Sequence, residues 1–292
     1  MDITRATRRG RRRTALAVAA VAASAALATQ LPATATATPA APHQAAAARI
    51  SGGPASAATH TAYDDTYYKD AIGKTGQELK SSLHQIIKST QTGKLSYSQV
   101  WDALKDTDED PDNKSNVILL YSGRSQSKDA NGGNPDDWNR EHVWAKSHGD
   151  FGTSTGPGTD LHHLRPEDVS VNSDRGNKDF DNGGSPVPEA PGSFTDNDSF
   201  EPRDAVKGDV ARMILYMAVR YDGDDGFPDL EPNDKVDNGS APNIGKISVL
   251  KAWSKADPPD AFEQHRNQVI FDKYQHNRNP FIDHPEWVNE IW

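Results

Sequence analysis

The chain has 292 residues, no cysteine, and 42 acidic against 32 basic side chains. The missing thiols exclude cysteine nucleophiles, thiolate-bound zinc and disulfide staples. Residues 1–50 hold seven of the basic residues, all Arg, and one acid, which leaves 25 basic against 41 acidic residues and a net charge of −16 on the remainder. That balance counts against a broad basic surface, so any contact with phosphate has to come from a local group of Arg and Lys together with a metal ion.

In chain order, residues 1–37 are predicted to be an export signal. Arg5, Arg8, Arg9 and Arg11 to Arg13 form a basic leader, Thr14 to Leu31 is a small-residue apolar stretch, and Ala33-Thr34-Ala35 matches a cleavage site. Residues 38–60, rich in Ala, Pro, Gly and Ser, read as a disordered linker or propeptide. Residues 61–292 are long enough for one sizeable core, although length alone would also allow two small domains. No further apolar span reaches membrane-crossing length, so the mature chain is expected to be secreted and free of the membrane, and a monomer is the expected state.

Within that part, Leu79, Leu83, Ile86 and Ile87 at helical spacing predict a helix over 76–90, and Val100, Trp101 and Leu104 a shorter one over 97–105. The apolar run 117–121 reads as a buried strand. Strands are expected at 138–144 and 161–165 around a Gly-rich loop at 149–159, then a short helix over 168–177 closed by Gly176. Residues 181–204 read as a long surface loop. Helices are expected at 205–221, 245–255 and 259–275. The fold class is α+β, mainly helical around a small antiparallel strand element.

Chemistry concentrates in fewer than forty residues. Three blocks, Asn139-Arg140-Glu141-His142-Val143-Trp144, Asp160-Leu161-His162-His163-Leu164-Arg165-Pro166 and Val171-Asn172-Ser173-Asp174-Arg175-Gly176-Asn177, bring together a potential base, carboxylates, amides and guanidinium groups. Phosphodiester hydrolysis needs this set: a base for water, a hard cation on phosphate oxygen, and cationic groups for the added charge. Magnesium prefers oxygen ligands and keeps several waters, so one Glu and one Asn suffice to hold it.

These blocks resemble the endonuclease I family of bacterial extracellular and periplasmic nucleases, a branch of the ββα-metal (HNH-like) nucleases. Residues 208–213 and 277–285 are similar to later family segments, so the resemblance runs over about residues 65–287. It implies that His142 is the general base, that Glu141 and Asn172 are ligands of Mg²⁺, with Mn²⁺ or Ca²⁺ as substitutes, and that the products carry 5′-phosphates. Arg140 and Arg165 are candidates for phosphate contact, because Arg suits bidentate recognition. The implied substrate is DNA, with RNA as a further one, cleaved without marked sequence preference. Two departures stand out: His163 where relatives often carry Asn, and the absence of disulfides.

One local expectation is geometric. Neighbours in a regular strand point to opposite faces, so a strand that sends both Glu141 and His142 into one cleft has to end, bend or bulge there. Other readings stay open. His162 and His163 are either structural or metal-binding, the latter shifting the site toward zinc, and Arg212 either reaches phosphate or pairs with a buried acid. Asn279 to Pro285 reads as a closing loop. The acidic runs at 106–112 and 222–234 read as solvated loops or as a structural Ca²⁺ site near Asp222, Asp224 and Asp225, and the six tryptophans as core and cleft wall, ungrouped with basic residues. A phosphatase or phosphodiesterase for small esters, and a non-catalytic calcium-binding secreted module, are the competing functions.

Overall fold

A computed structural model describes residues 63–292 except residue 65; the expected export signal and linker lie outside the described residues. Helix α1 (Gly76–Thr90) buries Leu79, Leu83, Ile86 and Ile87 on one face, as its spacing predicts. That face packs on α4 (Lys207–Arg220), where every residue from Gly208 to Arg220 is buried. A helix enclosed all round is a core element rather than a surface one, and α5 (Ile247–Ala256) closes another of its sides. Full burial of a leucine such as Leu83 stabilises the fold by about 1.5–3 kcal/mol relative to exposure. All the described residues belong to one compact unit.

A second apolar cluster gathers Val100 and Leu104 of α2 (Val100–Thr107) with Val117, Leu119, Trp138, Leu161, Leu164 and Ile270. Strands β1 (Glu109–Asp110), β2 (Asn113–Ile118) and β3 (Ser125–Ser127) form an antiparallel sheet in that order. The expected strand at 117–121 therefore starts earlier and ends at Ile118. Leu119, Leu120 and Tyr121 leave the ladder but stay fully buried, and Leu120 N–H donates to the Pro166 carbonyl at 3.1 Å. The apolar run marks burial, not pairing.

Strand β4 (Trp138–His142) pairs antiparallel with β5 (Leu164–Asp168), in unbroken register from Trp138 opposite Asp168 to His142 opposite Leu164. The strand expected at 161–165 is displaced by three residues, because the Asp160 carboxylate accepts the His162 N–H at 3.0 Å and holds 161–163 in a turn. Helix α3 (Val169–Arg175) follows β5 with no intervening loop. Asp168 caps it by accepting the Ser170 N–H at 2.9 Å and the Val171 N–H at 3.4 Å, and Gly176 closes it. Both strands touch this helix.

The expected loop at 181–204 is partly sheet. Strands β6 (Asp179–Phe180), β7 (Ser185–Pro186), β8 (Phe194–Thr195) and β9 (Ser199–Glu201) assemble in the order β6-β9-β8-β7. Strands of two or three residues carry no readable alternation, and the Pro and Gly between them mask what little there is. Strands β10 (Glu231–Pro232) and β11 (Asn243–Ile244) make a small parallel pair. Helix α6 (Ala261–Val269) runs on into a wider turn at Ile270–Tyr274. The closing segment forms α7 (Pro280–Asp283), capped by the Asn279 side chain accepting from Phe281 N–H at 3.0 Å, and α8 (Trp287–Ile291). The class is α+β.

In place of disulfides the interior carries ion pairs. Asp108 accepts from Arg165 and from Arg266, Arg165 also reaches Asp209 at 3.3 Å, and Arg212 grips Glu263 with Nε at 2.9 Å and a second contact from Nη2. All six side chains are buried.

Candidate active site

Strand β4 and helix α3, with the turns that follow them, line a cleft of about 380 Å³ through Arg140, Glu141, His142, Asn172 and Arg175, with Tyr97 and Lys146 also contributing. Strand β4 ends at His142, which lets that residue and Glu141 both line the cleft without a bulge.

Glu141 is 2% exposed. Its Oε1 accepts from the Tyr121 hydroxyl at 2.8 Å and from Arg175 Nη1 at 3.0 Å; Oε2 accepts from no side chain among the described residues, and the His142 N–H also faces the carboxyl. Burial pushes its carboxyl above the usual carboxylate range, and the Arg175 guanidinium offsets only part of that. Arg175 also binds the carbonyls of His142 at 2.9 Å and Val143 at 2.7 Å, so it locks the end of β4 while it holds the carboxylate. Tyr121 and Arg175 were given no role by sequence reasoning. Arg175 lies in the third block, but its partners in the cleft, Glu141, His142 and Val143, lie more than thirty residues away; Tyr121 stands in an apolar run and carries no local signal.

His142 places Nε2 at 3.1 Å from the Gly158 carbonyl. A carbonyl only accepts, so in the neutral ring Nε2 carries the proton and Nδ1 keeps its lone pair, with no partner among the described residues. Burial pushes the imidazole well below the usual histidine range, and nearby His163 adds to this.

Asn172 sits partly exposed on α3, and its side-chain amide has no hydrogen bond among the described residues. The Arg140 guanidinium lies between the rings of Tyr97 and Trp101, 3.6 and 3.9 Å from their centroids, with Nη1 donating to the Tyr97 carbonyl at 2.7 Å. One tryptophan is therefore grouped with a cation, which linear sequence does not reveal. Four buried side-chain nitrogen or oxygen atoms lack a partner among the described residues, and three of them, Arg140 Nε, Arg175 Nε and Ser147 Oγ, belong to residues lining this cleft. Buried donors left open in a native fold call for an explanation. For a hard divalent cation the donor set fits: a carboxylate oxygen and an amide oxygen, neither bonded to a side chain among the described residues, beside open space for water.

Other sequence candidates fall elsewhere. Arg165 does not line the cleft. It is 1% exposed and spent on Asp108 and Asp209, so the phosphate contact expected of it is corrected to an ion-paired structural role. Arg212 pairs with the buried acid Glu263. His162 bonds Asn277 through Nε2 and packs on Tyr216, and His163 bonds the Pro157 carbonyl at 2.7 Å while its Nδ1 accepts from Trp144 N–H at 3.3 Å. Both are buried outside the cleft, and burial lowers each to about 4. The acidic run at 106–112 is no simple solvated loop, since Asp108 is fully buried.

A sequence model of one known family, described as endonuclease I, matches residues 75–286. An extracellular ribonuclease of Bacillus subtilis (strain 168) is 69% identical over 228 residues, 78% of each chain. One of Bacillus amyloliquefaciens is 67% identical over 234 residues, 80% of each. An extracellular deoxyribonuclease of Aeromonas hydrophila is 31% identical over 130 residues, 42% of this chain and 49% of that one. The chain belongs to the endonuclease I family of nucleases. No helix among the described residues is long and apolar enough to cross a membrane.

Proposed function

We propose that this protein is a secreted, monomeric, Mg²⁺-dependent endonuclease that hydrolyses phosphodiester bonds of DNA and RNA without marked sequence preference, leaving 5′-phosphate ends. The observation that carries the reading is the convergence, on one cleft, of a histidine with an open Nδ1, a carboxylate with an open Oε2, an open amide and a stacked guanidinium.

In this reading β4, β5 and α3 are the ββα-metal unit. Glu141 and Asn172 hold the cation, with Mn²⁺ or Ca²⁺ as substitutes. When bound, the ion supplies positive charge beside the phosphate and the departing 3′ oxygen. His142 Nδ1 takes a proton from the attacking water while the Gly158 carbonyl keeps the ring oriented through Nε2–H. Tyr121 and Arg175 fix the Glu141 carboxylate, so little reorganisation is needed when charge develops. Arg140 contacts a phosphate with the donors its aromatic sandwich leaves open. Groups of this kind contact sugar and phosphate rather than base edges, in keeping with low sequence preference. The relatives' names, ribonuclease in two cases and deoxyribonuclease in a third, support a site that accepts both polymers; their description as extracellular agrees with the expected export signal.

Supercoiled plasmid and a structured RNA serve as the test substrates, each with Mg²⁺, with EDTA, and with His142→Ala. The expected result is cleavage of both, abolished by chelation and reduced about 10²- to 10⁴-fold by the substitution. Full activity of His142→Ala would overturn the assignment of the base. Turnover of small phosphodiesters as fast as polymers would favour the small-ester enzyme, and no cleavage with any divalent ion the binding module.

A further inference from the structure

A second cluster lies apart from the cleft, where α1, the end of α4 and the loop after it meet. His84, Asp222 and Asp224 offer ligand atoms that all lie within 4.8 Å of one another. His84 is 1% exposed, and its Nδ1 is 2.8 Å from the Val219 carbonyl. That carbonyl can only accept, so Nδ1 carries a proton and the neutral ring turns the Nε2 lone pair toward the other side. There it meets Asp224 Oδ2 at 3.1 Å and Asp222 Oδ1 at 3.3 Å. In the neutral ring, a buried acceptor nitrogen is therefore aimed at two further acceptors with no hydrogen between them. A proton on Nε2 or a bound cation resolves that convergence, and titration with a metal ion separates the two.

We propose that His84, Asp222 and Asp224 form a structural site for a divalent transition ion of the zinc class. Ligands bonded at about 2.1 Å to one ion sit about 3.0–3.4 Å apart at right-angle to tetrahedral openings, and both contacts to Nε2 fall in that range. The imidazole nitrogen decides the kind of ion: an all-oxygen loop suits calcium, whereas a histidine among carboxylates suits zinc and its neighbours. This separates the site from the calcium reading of the acidic run, which had no means of including a residue 138 positions away. The half-exposed Lys88, with Nζ 2.6 Å from Asp224 Oδ2, is the cation that an incoming ion displaces. One residue further on, Asp225 keeps a buried Oδ1 with no partner among the described residues. Occupancy ties the 222–225 loop to α1 and stiffens the junction of α1 with α4.

The test uses the full chain carrying Glu141→Gln, so that the cleft does not mask the result. Zn²⁺ and Ca²⁺ are titrated by calorimetry and followed by thermal unfolding. The expected outcome is one Zn²⁺ per chain and a raised Tm, with affinity at least tenfold weaker in Asp222→Asn/Asp224→Asn and in His84→Gln. The paired Asp→Asn change is nearly isosteric and half exposed, so it keeps the protein folded if His84→Gln does not. In the background of native Glu141 that double variant retains nuclease activity. No Zn²⁺ binding, Zn²⁺ binding untouched by the Asp→Asn pair or by His84→Gln, or Ca²⁺ bound more tightly than Zn²⁺ and lost with the Asp→Asn pair would each overturn the proposal. The first of these is what a protonated His84, satisfied by the two carboxylates alone, would give.

Discussion

The cleft and the ion-paired interior are built from the same side-chain types and differ in how completely those side chains are partnered. In the interior, Arg165 divides itself between Asp108 and Asp209, and Arg212 closes on Glu263 with two nitrogens. In the cleft, Glu141 uses one oxygen and leaves the other open, His142 uses one nitrogen, and Arg140 and Arg175 each retain an unpartnered Nε. A buried charge whose every valence is met holds structure and has nothing left for a ligand. A buried group with an open valence costs folding free energy until something binds, and here such groups gather in one place. Satisfaction, not residue type, separates the two regions.

Matched substitutions break the comparison in opposite ways. The largest effect is expected from Glu141→Gln, which keeps an oxygen for Tyr121 and Arg175 but removes the charge. Activity at low Mg²⁺ should fall by at least the roughly 10- to 100-fold that loss of a mere outer partner costs a metal site, and high Mg²⁺ should restore part of it. Steady-state assays across a Mg²⁺ series decide this; a Mg²⁺-independent loss would place Glu141 outside the ligand set. Next, Asp108→Asn removes the shared partner of Arg165 and Arg266 and should destabilise the fold by about 3–5 kcal/mol, read as a lower midpoint in urea, while cleavage per folded molecule stays near native. A dead but stable Asp108→Asn would return Arg165 and its partner to the chemistry. Arg140→Lys should do the reverse at smaller scale: Lys lacks the flat face that Tyr97 and Trp101 enclose, so KM should rise several-fold, up to about tenfold, with Tm almost unchanged. The smallest effect sharpens the contrast. Between 50 and 200 mM salt, KM should climb, because phosphate contacts at an open cleft are screened, whereas Tm should hardly move, because the interior pairs are shielded from solvent ions.

The same distinction explains what could be read from the sequence. That Glu141, His142 and Asn172 line one cleft was legible because β4, β5 and α3 follow one another in the chain, so the motifs that mark them are also neighbours in space. Arg165 sits within those motifs and was misjudged, because its partners Asp108 and Asp209 come from 57 residues before and 44 after. Nothing local distinguishes a guanidinium already claimed from one still free. Helices followed the same rule: α1 and α4 show long apolar periods and stand where expected, although the enclosure of α4 on all sides depends on what packs around it. The two- and three-residue strands after α3 had no period to show.

The Gly158 contact has a consequence for how substitutions are tolerated. The bond that orients His142 ends on a main-chain oxygen, so no side chain encodes it and no side-chain deletion removes it. What the sequence encodes is the route of the chain that delivers that oxygen. A Cβ on Gly158 would fall 2.6 Å from the Gly152 oxygen and 2.8 Å from the Thr153 Cα, both backbone atoms, and one on Gly156 would fall 2.3 Å from the Phe227 ring. Two residues with no functional group thereby govern how the His142 ring is held, through the space they leave empty. A map of tolerated substitutions would draw this site wider than its reactive groups, with glycines on its border.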